Sequence, residues 1–278
     1  KIGLNFGNEN PQDKVTNNSL KALAYQDDLK INADFSISQK EINASNITIS
    51  SNSIANASGG FNYTYGDSSE MVGNLSIEQF NLDQFLNVDS ANSETNSGLN
   101  FLDMFFRSIV NNFSMNITKS SVGGLKLNVK QITYNKELIK DLKFDSNISD
   151  GQILLNEFSC SVPGEGQFKI LGSVTHNDIR PKFLGNLEMN VAKFDDFRKW
   201  LNIDVSDEFV KKASNLALRT EVSLIPRNIK FEKIQASLGD SIMVGKVSIK
   251  NTGDRRLNTK VSMRFSTINT DDFMFSTK

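Results

Sequence analysis

The side chains able to do chemistry here are carboxylates at a repeated spacing, one histidine and one cysteine. Gly73-Asn74-Leu75-Ser76-Ile77 is followed by Leu82-Asp83-Gln84-Phe85. Gly185-Asn186-Leu187-Glu188-Met189 is followed by Phe194-Asp195-Asp196-Phe197, and Val261-Ser262-Met263-Arg264-Phe265 by Thr270-Asp271-Asp272-Phe273. In each copy the aspartate comes ten positions after the first residue, and the phenylalanine two later. Three such acids could form a triplicated acidic or metal-binding site, but that chemistry needs partners. The pairs Asp195/Asp196 and Asp271/Asp272 are sequence neighbours at helix starts, so they do not face one cleft as glycosidase carboxylates do. A local role remains. An apolar strand ends, the chain turns, and Asp83, Asp195 or Asp271 is expected to cap a short helix by accepting backbone N–H bonds that otherwise lack a partner.

The other reactive groups are isolated. His176 sits in the turn-like Thr175-His176-Asn177-Asp178, and a Ser-His-Asp triad would have to use it without a Gly-x-Ser-x-Gly elbow. A single His and a single Cys cannot build a His/Cys zinc site. Gly164-Glu165-Gly166 lacks the later glycine and the helix of a dinucleotide fingerprint. Asp145, Asp150 and Asp178 fall singly in turns, without the ladder of a calcium loop. Cys160, in Phe158-Ser159-Cys160-Ser161-Val162, lies on the apolar side of an alternation and reads as a small buried hydrophobe. No catalytic residue, metal or cofactor is expected.

What must position these residues is strand. Leu29, Ile31, Ala33, Phe35 and Ile37 alternate with polar neighbours, and successive strand side chains point to opposite faces. The pattern returns at Phe183/Gly185/Leu187/Met189/Val191 and Leu216/Leu218/Thr220/Val222/Leu224. Shorter copies are Leu125/Leu127/Val129, Leu142/Phe144, Phe168/Ile170, Val247/Ile249 and Val261/Met263/Phe265. Half-wet alternation argues for antiparallel meanders rather than buried parallel sheets. Ser58-Gly59-Gly60, Asn177-Asp178, Gly239-Asp240 and Asn251-Thr252-Gly253-Asp254 supply turn chemistry. Helices are few. Residues 98–112 place Leu99, Leu102, Phe105, Phe106 and Ile109 on one face behind a Ser97 cap, as a helix packed on the sheet or docked on a membrane. Short helices are expected over Asp195–Leu201 and Asp207–Ala213. Trp200 in the first of these has two readings, core or interfacial anchor.

The 278 residues are 38% hydrophobic, below the usual ~45–50% of globular domains, with Asn, Ser and Thr filling the gap. An AT-rich bacterial genome produces the same bias. Net charge is −1, which gives no electrostatic footprint for nucleic acid or anionic headgroups. One cysteine permits no intrachain disulfide, which fits cytoplasm or a Gram-negative periplasm. No window approaches the ~18 apolar residues of a transmembrane helix. The first residue is not Met, and we read the chain as a piece of a longer protein. The aromatics are 20 Phe against 4 Tyr and 1 Trp, a balance that suits a dry core or lipid better than sugar.

The stretch from Leu142 to Val174, with its Gly151 turn, Pro163-Gly164 turn and Phe168-Lys169-Ile170-Leu171-Gly172 strand, resembles the AsmA-like family of bacterial envelope proteins. Gly73–Phe85, Gly185–Phe197 and the divergent Val261–Phe273, which has Val at the corner glycine, resemble that family's strand-to-corner element, and the resemblance spans most of 29–275. It implies a periplasmic protein held to the inner membrane by an N-terminal helix, with β-units stacked into a long curved sheet whose apolar inner face helps phospholipid pass between membranes.

The expected fold is therefore mainly β: tandem antiparallel meander units forming a long curved sheet with an apolar inner face and few short helices. The organisation read from the sequence is an N-terminal segment 1–28, a β-unit 29–90, a linker 91–124 carrying the helix 98–112, a second β-unit 125–204 of about six strands, and a short helix with a third β-unit over 205–275. The residues expected to line a lipid groove are Leu29, Ile31, Phe35, Leu75, Ile77, Phe168, Ile170, Leu187, Met189, Leu216, Leu218, Val222, Met263 and Phe265. Expected partners are phospholipid or another acyl-chain lipid, the inner membrane and possible envelope proteins, with no nucleic acid. A structural or protein-interaction module using exposed sheet edges is the alternative.

Overall fold

The computed structural model describes residues 2–3, 23–24, 29–66, 68–85, 120–177, 180–205, 210, 213–225, 228–251 and 257–266. The chain is mainly β. Its contacts cluster into two compact units, Lys1–Val88 with Thr118–Gly151, and Asp89–Ile117 with Gln152–Lys278. The division falls within the second expected β-unit, between Gly151 and Gln152.

In the first unit the strands are β1 (Ile2–Gly3), β2 (Leu23–Ala24), β3 (Lys30–Ile37), β4 (Glu41–Ser50), β5 (Ile54–Thr64), β6 (Glu70–Asn81), β7 (Val122–Tyr134) and β8 (Glu137–Ser149), with helix α1 (Leu82–Phe85) after β6. β1 and β2 pair with each other, and β3 to β8 lie in sequence order side by side. Every neighbouring pair is antiparallel except β6 and β7, which run parallel from Glu70↔Val122 to Asn81↔Thr133. Parallel neighbours need a crossover of a dozen or more residues. Residues 82–121 supply one, so the expected all-antiparallel meander is interrupted once.

In the second unit β9 (Gln152–Val162), β10 (Gly166–Asn177), β11 (Arg180–Val191), β12 (Leu216–Ile225), β13 (Asn228–Leu238), β14 (Ser241–Asn251) and β15 (Leu257–Phe265) form an unbroken antiparallel meander, with helix α2 (Phe194–Trp200) after β11. Residues 125–204 hold five strands where about six are expected. The stretches at Gly151–Leu155 and Phe158–Val162 are one strand, β9, carrying a register shift opposite Ile170/Gly172. The extra residue returns Phe158, Cys160 and Val162 to the face of Ile153 and Leu155. His176, expected in a turn, lies in β10 opposite Pro181.

The same device explains the broken alternation elsewhere. In β4, Ile42 and Ala44 are out of phase with Ile47 and Ile49, and a register shift between Ala44 and Ile47 puts all four on one face. Asn46, at φ 51, is the left-handed residue there. Lys233, at φ 51, sits at the matching place in β13, between Phe231 and Ile234. In β8, Asp141, at φ 51, separates Ile139 from Leu142. The second strand of each expected repeat thus carries one positive-φ residue immediately before an apolar one. A non-glycine residue there costs backbone energy, which the restored apolar face offsets.

Ser58-Gly59-Gly60, expected as a turn, lies inside β5, paired with both β4 and β6. A Cβ on Gly59 would strike the Asn74 carbonyl, so this glycine marks close strand approach rather than a corner. The helix expected at 98–112 lies outside the described residues. Of the helix expected over Asp207–Ala213, Val210 is helical, whereas Ala213 lies beyond it and is buried.

Candidate functional site

Cross-strand register decides which side chains share a face, because directly opposed residues point the same way. In the first unit one row runs Ile31–Ile49–Ala57–Ile77–Val129–Leu142, and another Phe35–Ala44–Phe61–Gly73–Leu125–Ser146. Leu75 stands between them, opposite Gly59 and Leu127. Leu29 continues the alternation of Ile31 and is half-buried. In the second unit the rows are Cys160–Phe168–Met189–Leu218–Ala236–Met243–Phe265 and Phe158–Ile170–Leu187–Thr220, the latter resuming in Ile234–Gly245–Met263. Leu216 and Val222 lie on the same face, opposite Val191 and Gly185. Within each unit the expected lining residues therefore share one apolar face.

They are not equally accessible. Ile170 is 0% exposed, Val222 2%, Leu187 4%, and Phe168 and Ile77 8%. Ile77 in the first unit, and the other four in the second, are packed inside their own unit's face and cannot touch a ligand as they stand. Leu29, Ile31, Phe35, Leu75, Met189, Leu216, Leu218 and Met263 are half-buried, and Phe265 is 39% exposed. In the second unit the face is closed over most of β9–β11 and over Thr220–Leu224 of β12, and it opens at Leu216 and Leu218 and over β14–β15. Packing explains the closed part. Phe183 is 1% exposed, and its ring lies over Gly172 and Gly185, where an added Cβ would come 2.6 Å from the ring's Cζ. The corner glycine of the second copy therefore makes room for Phe183. In the third copy Val261 takes its place, and at 62% exposure nothing covers it closely.

Of the repeated aspartates, Asp83 and Asp195 do not cap their helices. Asp83 accepts the backbone N–H of Asn135 at 2.7 Å and of Lys136 at 2.8 Å, so it ties α1 to the β7–β8 turn, whose two residues are left-handed at φ 52 and 64. Asn81 caps α1 instead, its Oδ1 accepting from Gln84 N–H at 3.0 Å. Lys193 occupies the cap position of α2 with no side-chain bond. Asp195, inside the first turn, pairs with Lys199 at 2.6 Å and with Arg198 at 2.7 Å. The hydrogen bond from Lys199 and the charge of both cations hold its carboxyl below the usual range. An acid in the first turn still favours the helix dipole. Asp271 lies outside the described residues. Phe197 and Trp200 are buried against each other, ring centroids 5.8 Å apart, so Trp200 is core. Phe85, by contrast, is 60% exposed and meets only the edge of Phe80 among the described aromatic contacts.

α2 sits at strand ends. Lys193 N–H donates to Gly164 O and Phe194 N–H to Ser214 O. Gly164, at φ 84, lies so close to the Lys193 carbonyl and Phe197 that no side chain fits. Among the described residues no group of acids, His and Cys could hold a metal, and no helix is long and apolar enough to cross a membrane. A depression of about 330 Å³ lies on the opposite, wet face, lined by Glu188, Asn190, Arg219, Gln235, Ser237 and Ile242. Arg219 and Glu188 pair across it at 3.0 Å.

No family model, curated protein or solved structure matches this chain.

Cys160 offers a direct check of the dry face. Burial pushes its thiol up to about 12, so the nucleophilic thiolate is suppressed. The thiol is expected to resist a disulfide reagent at pH ~8 in the native protein and to react fully in denaturant. Fast native labelling would mean that this part of the face is wet. Because the folded-state value is the higher one, the associated stability is present below the ordinary thiol range and is lost as pH rises toward about 12.

Proposed function

We propose that this chain is a non-enzymatic envelope protein of the periplasm, held to the inner membrane by a helix elsewhere in the full-length protein, and that it binds or conducts phospholipid acyl chains along the apolar face of its sheet. The resemblance to AsmA-like proteins points this way. The observation that carries the reading is the graded face itself: Leu216, Leu218, Met263 and Phe265 share one side of β12–β15 and remain accessible, while the described helices pack at strand ends. Acyl chains suit such a surface because apolar contact is non-directional, at roughly 25 cal/mol per Å² buried. No fixed polar partner is required.

The test is capture of a fluorescent phospholipid by the purified chain, with native mass spectrometry of the product. Lipid is expected to co-purify, and Met263→Asp is expected to weaken capture by about ten-fold or more, since a carboxylate in the acyl path stays unpaired. Met263 is only half-buried, so the fold is expected to survive, as circular dichroism would show. Absence of lipid from the wild-type chain, or capture indifferent to Met263→Asp, would sink the proposal.

One observation favours a second reading. β15 pairs with β14 alone among the described strands, leaving an edge able to add a strand from a partner. Proline in β15 at a position whose N–H faces outward separates the two: loss of a protein partner with lipid capture intact favours the edge.

A further inference from the structure

The whole chain is nearly neutral, yet its cations are not evenly placed. Register brings Lys230, Lys246, Lys250, Lys260 and Arg264 together on the wet face of β13–β15, all exposed. Ser248 lies opposite both Lys230 and Lys260, and Lys246 and Lys250 are two residues away along its own strand. With strands about 4.8 Å apart and same-face neighbours about 7 Å apart, four ammonium groups surround one hydroxyl. β14 and β15 contain no acid among their described residues, and Glu232 and Asp240 are the acids of β13 and its turn. Lys233 is engaged by Glu221 at 2.6 Å, whereas no ion pair to the five clustered cations is found among the described residues.

The fold does not require these charges. β3–β6 repeat the same four-strand arrangement with the same bulge, and there the five matching positions are Asn43, Gly60, Thr64, Val72 and Ser76. The wet face of β14 also presents Ile242 at 53% exposure and Val244 at 44%, with Val244 directly opposite Arg264. Aliphatic side chains among lysines, with no aromatic ring among the described residues of that face, suit a phospholipid surface better than a single-stranded nucleic acid, which is bound by stacking platforms.

We propose that the wet face of β13–β15 docks on an anionic lipid bilayer, through Lys230, Lys246, Lys250, Lys260 and Arg264, with Ile242 and Val244 entering the headgroup layer. This surface is the reverse of the acyl-chain face and stands independently of that reading. Each cation near an anionic membrane strengthens binding about five-fold, and the attraction falls within a Debye length.

The experiment is flotation of the full chain with vesicles of phosphatidylcholine alone or mixed with phosphatidylglycerol. Binding is expected only to the anionic vesicles, to fall when salt is raised to about 0.5 M, and to weaken on the order of a hundred-fold in the variant Lys230→Ser/Lys246→Ser/Lys260→Ser. That variant is expected to capture phospholipid acyl chains as before, so loss of docking and loss of the groove are read separately. Should the triple variant fail to fold, Lys260→Gln alone is expected to weaken docking about five-fold. Equal binding to neutral vesicles, docking indifferent to these substitutions, or tighter binding of a single-stranded oligonucleotide or of inorganic phosphate than of anionic vesicles overturns the proposal.

Discussion

Phe183→Ala is expected to destabilise the chain by about 3–5 kcal/mol, measured as a lowered denaturation midpoint in urea. Phe183 is 1% exposed and its ring lies over two glycines, so truncation opens a cavity that neither Gly172 nor Gly185 can fill. The complementary substitution makes the claim sharper. Gly185→Val places a Cβ 2.6 Å from the ring and pushes it off the sheet, at a cost of at least ~1–3 kcal/mol for overpacking. The matching position in the third copy already carries Val261, 62% exposed, and Val261→Gly is expected to cost roughly 1 kcal/mol or less. Equal effects at Gly185 and Val261 would show that the corner glycine serves the turn and not the ring.

Asp83→Ala is expected to cost about 3 kcal/mol, from two hydrogen bonds of roughly 1.5–3 kcal/mol each to a charged acceptor, partly offset by water reaching the exposed turn. Both donors, the N–H groups of Asn135 and Lys136, belong to a left-handed two-residue turn. Amide exchange at those two positions is therefore expected to accelerate together, with Asp83→Asn intermediate because its one carbonyl oxygen replaces a charged, two-oxygen acceptor. If Asp83 were the cap of α1, protection would instead be lost at the start of that helix, which Asn81 is expected to hold unchanged.

The aspartate motif shows where local reading succeeds and where it stops. Its spacing located three corresponding strand ends, and two of them are seen as strand followed by helix. Its chemistry was misassigned because a carboxylate is equally able to serve its own helix, a turn 52 residues away, or cations one helical turn on. Only the crossover that lays β7 beside β6 decides between these. Likewise the out-of-phase step between Ile42-Asn43-Ala44 and Ile47-Thr48-Ile49 breaks the period-2 pattern in the sequence. It is a bulge, and the pairing partner reveals it. The apolar face could be named residue by residue, but its division into a closed part and an open part could not. Burial depends on what lies across the strand, such as Phe183 of β11 over Gly172 of β10.

The sequence by itself determined strand character and the wet and dry sides, because period-2 patterning is a local property. Tertiary structure alone decided the parallel β6–β7 pair, the single bulged β9 and the clustering of five cations. A net charge of −1 is silent about placement. Strand register, by bringing Lys230 and Lys260 to either side of Ser248, turns a balanced composition into a one-signed surface.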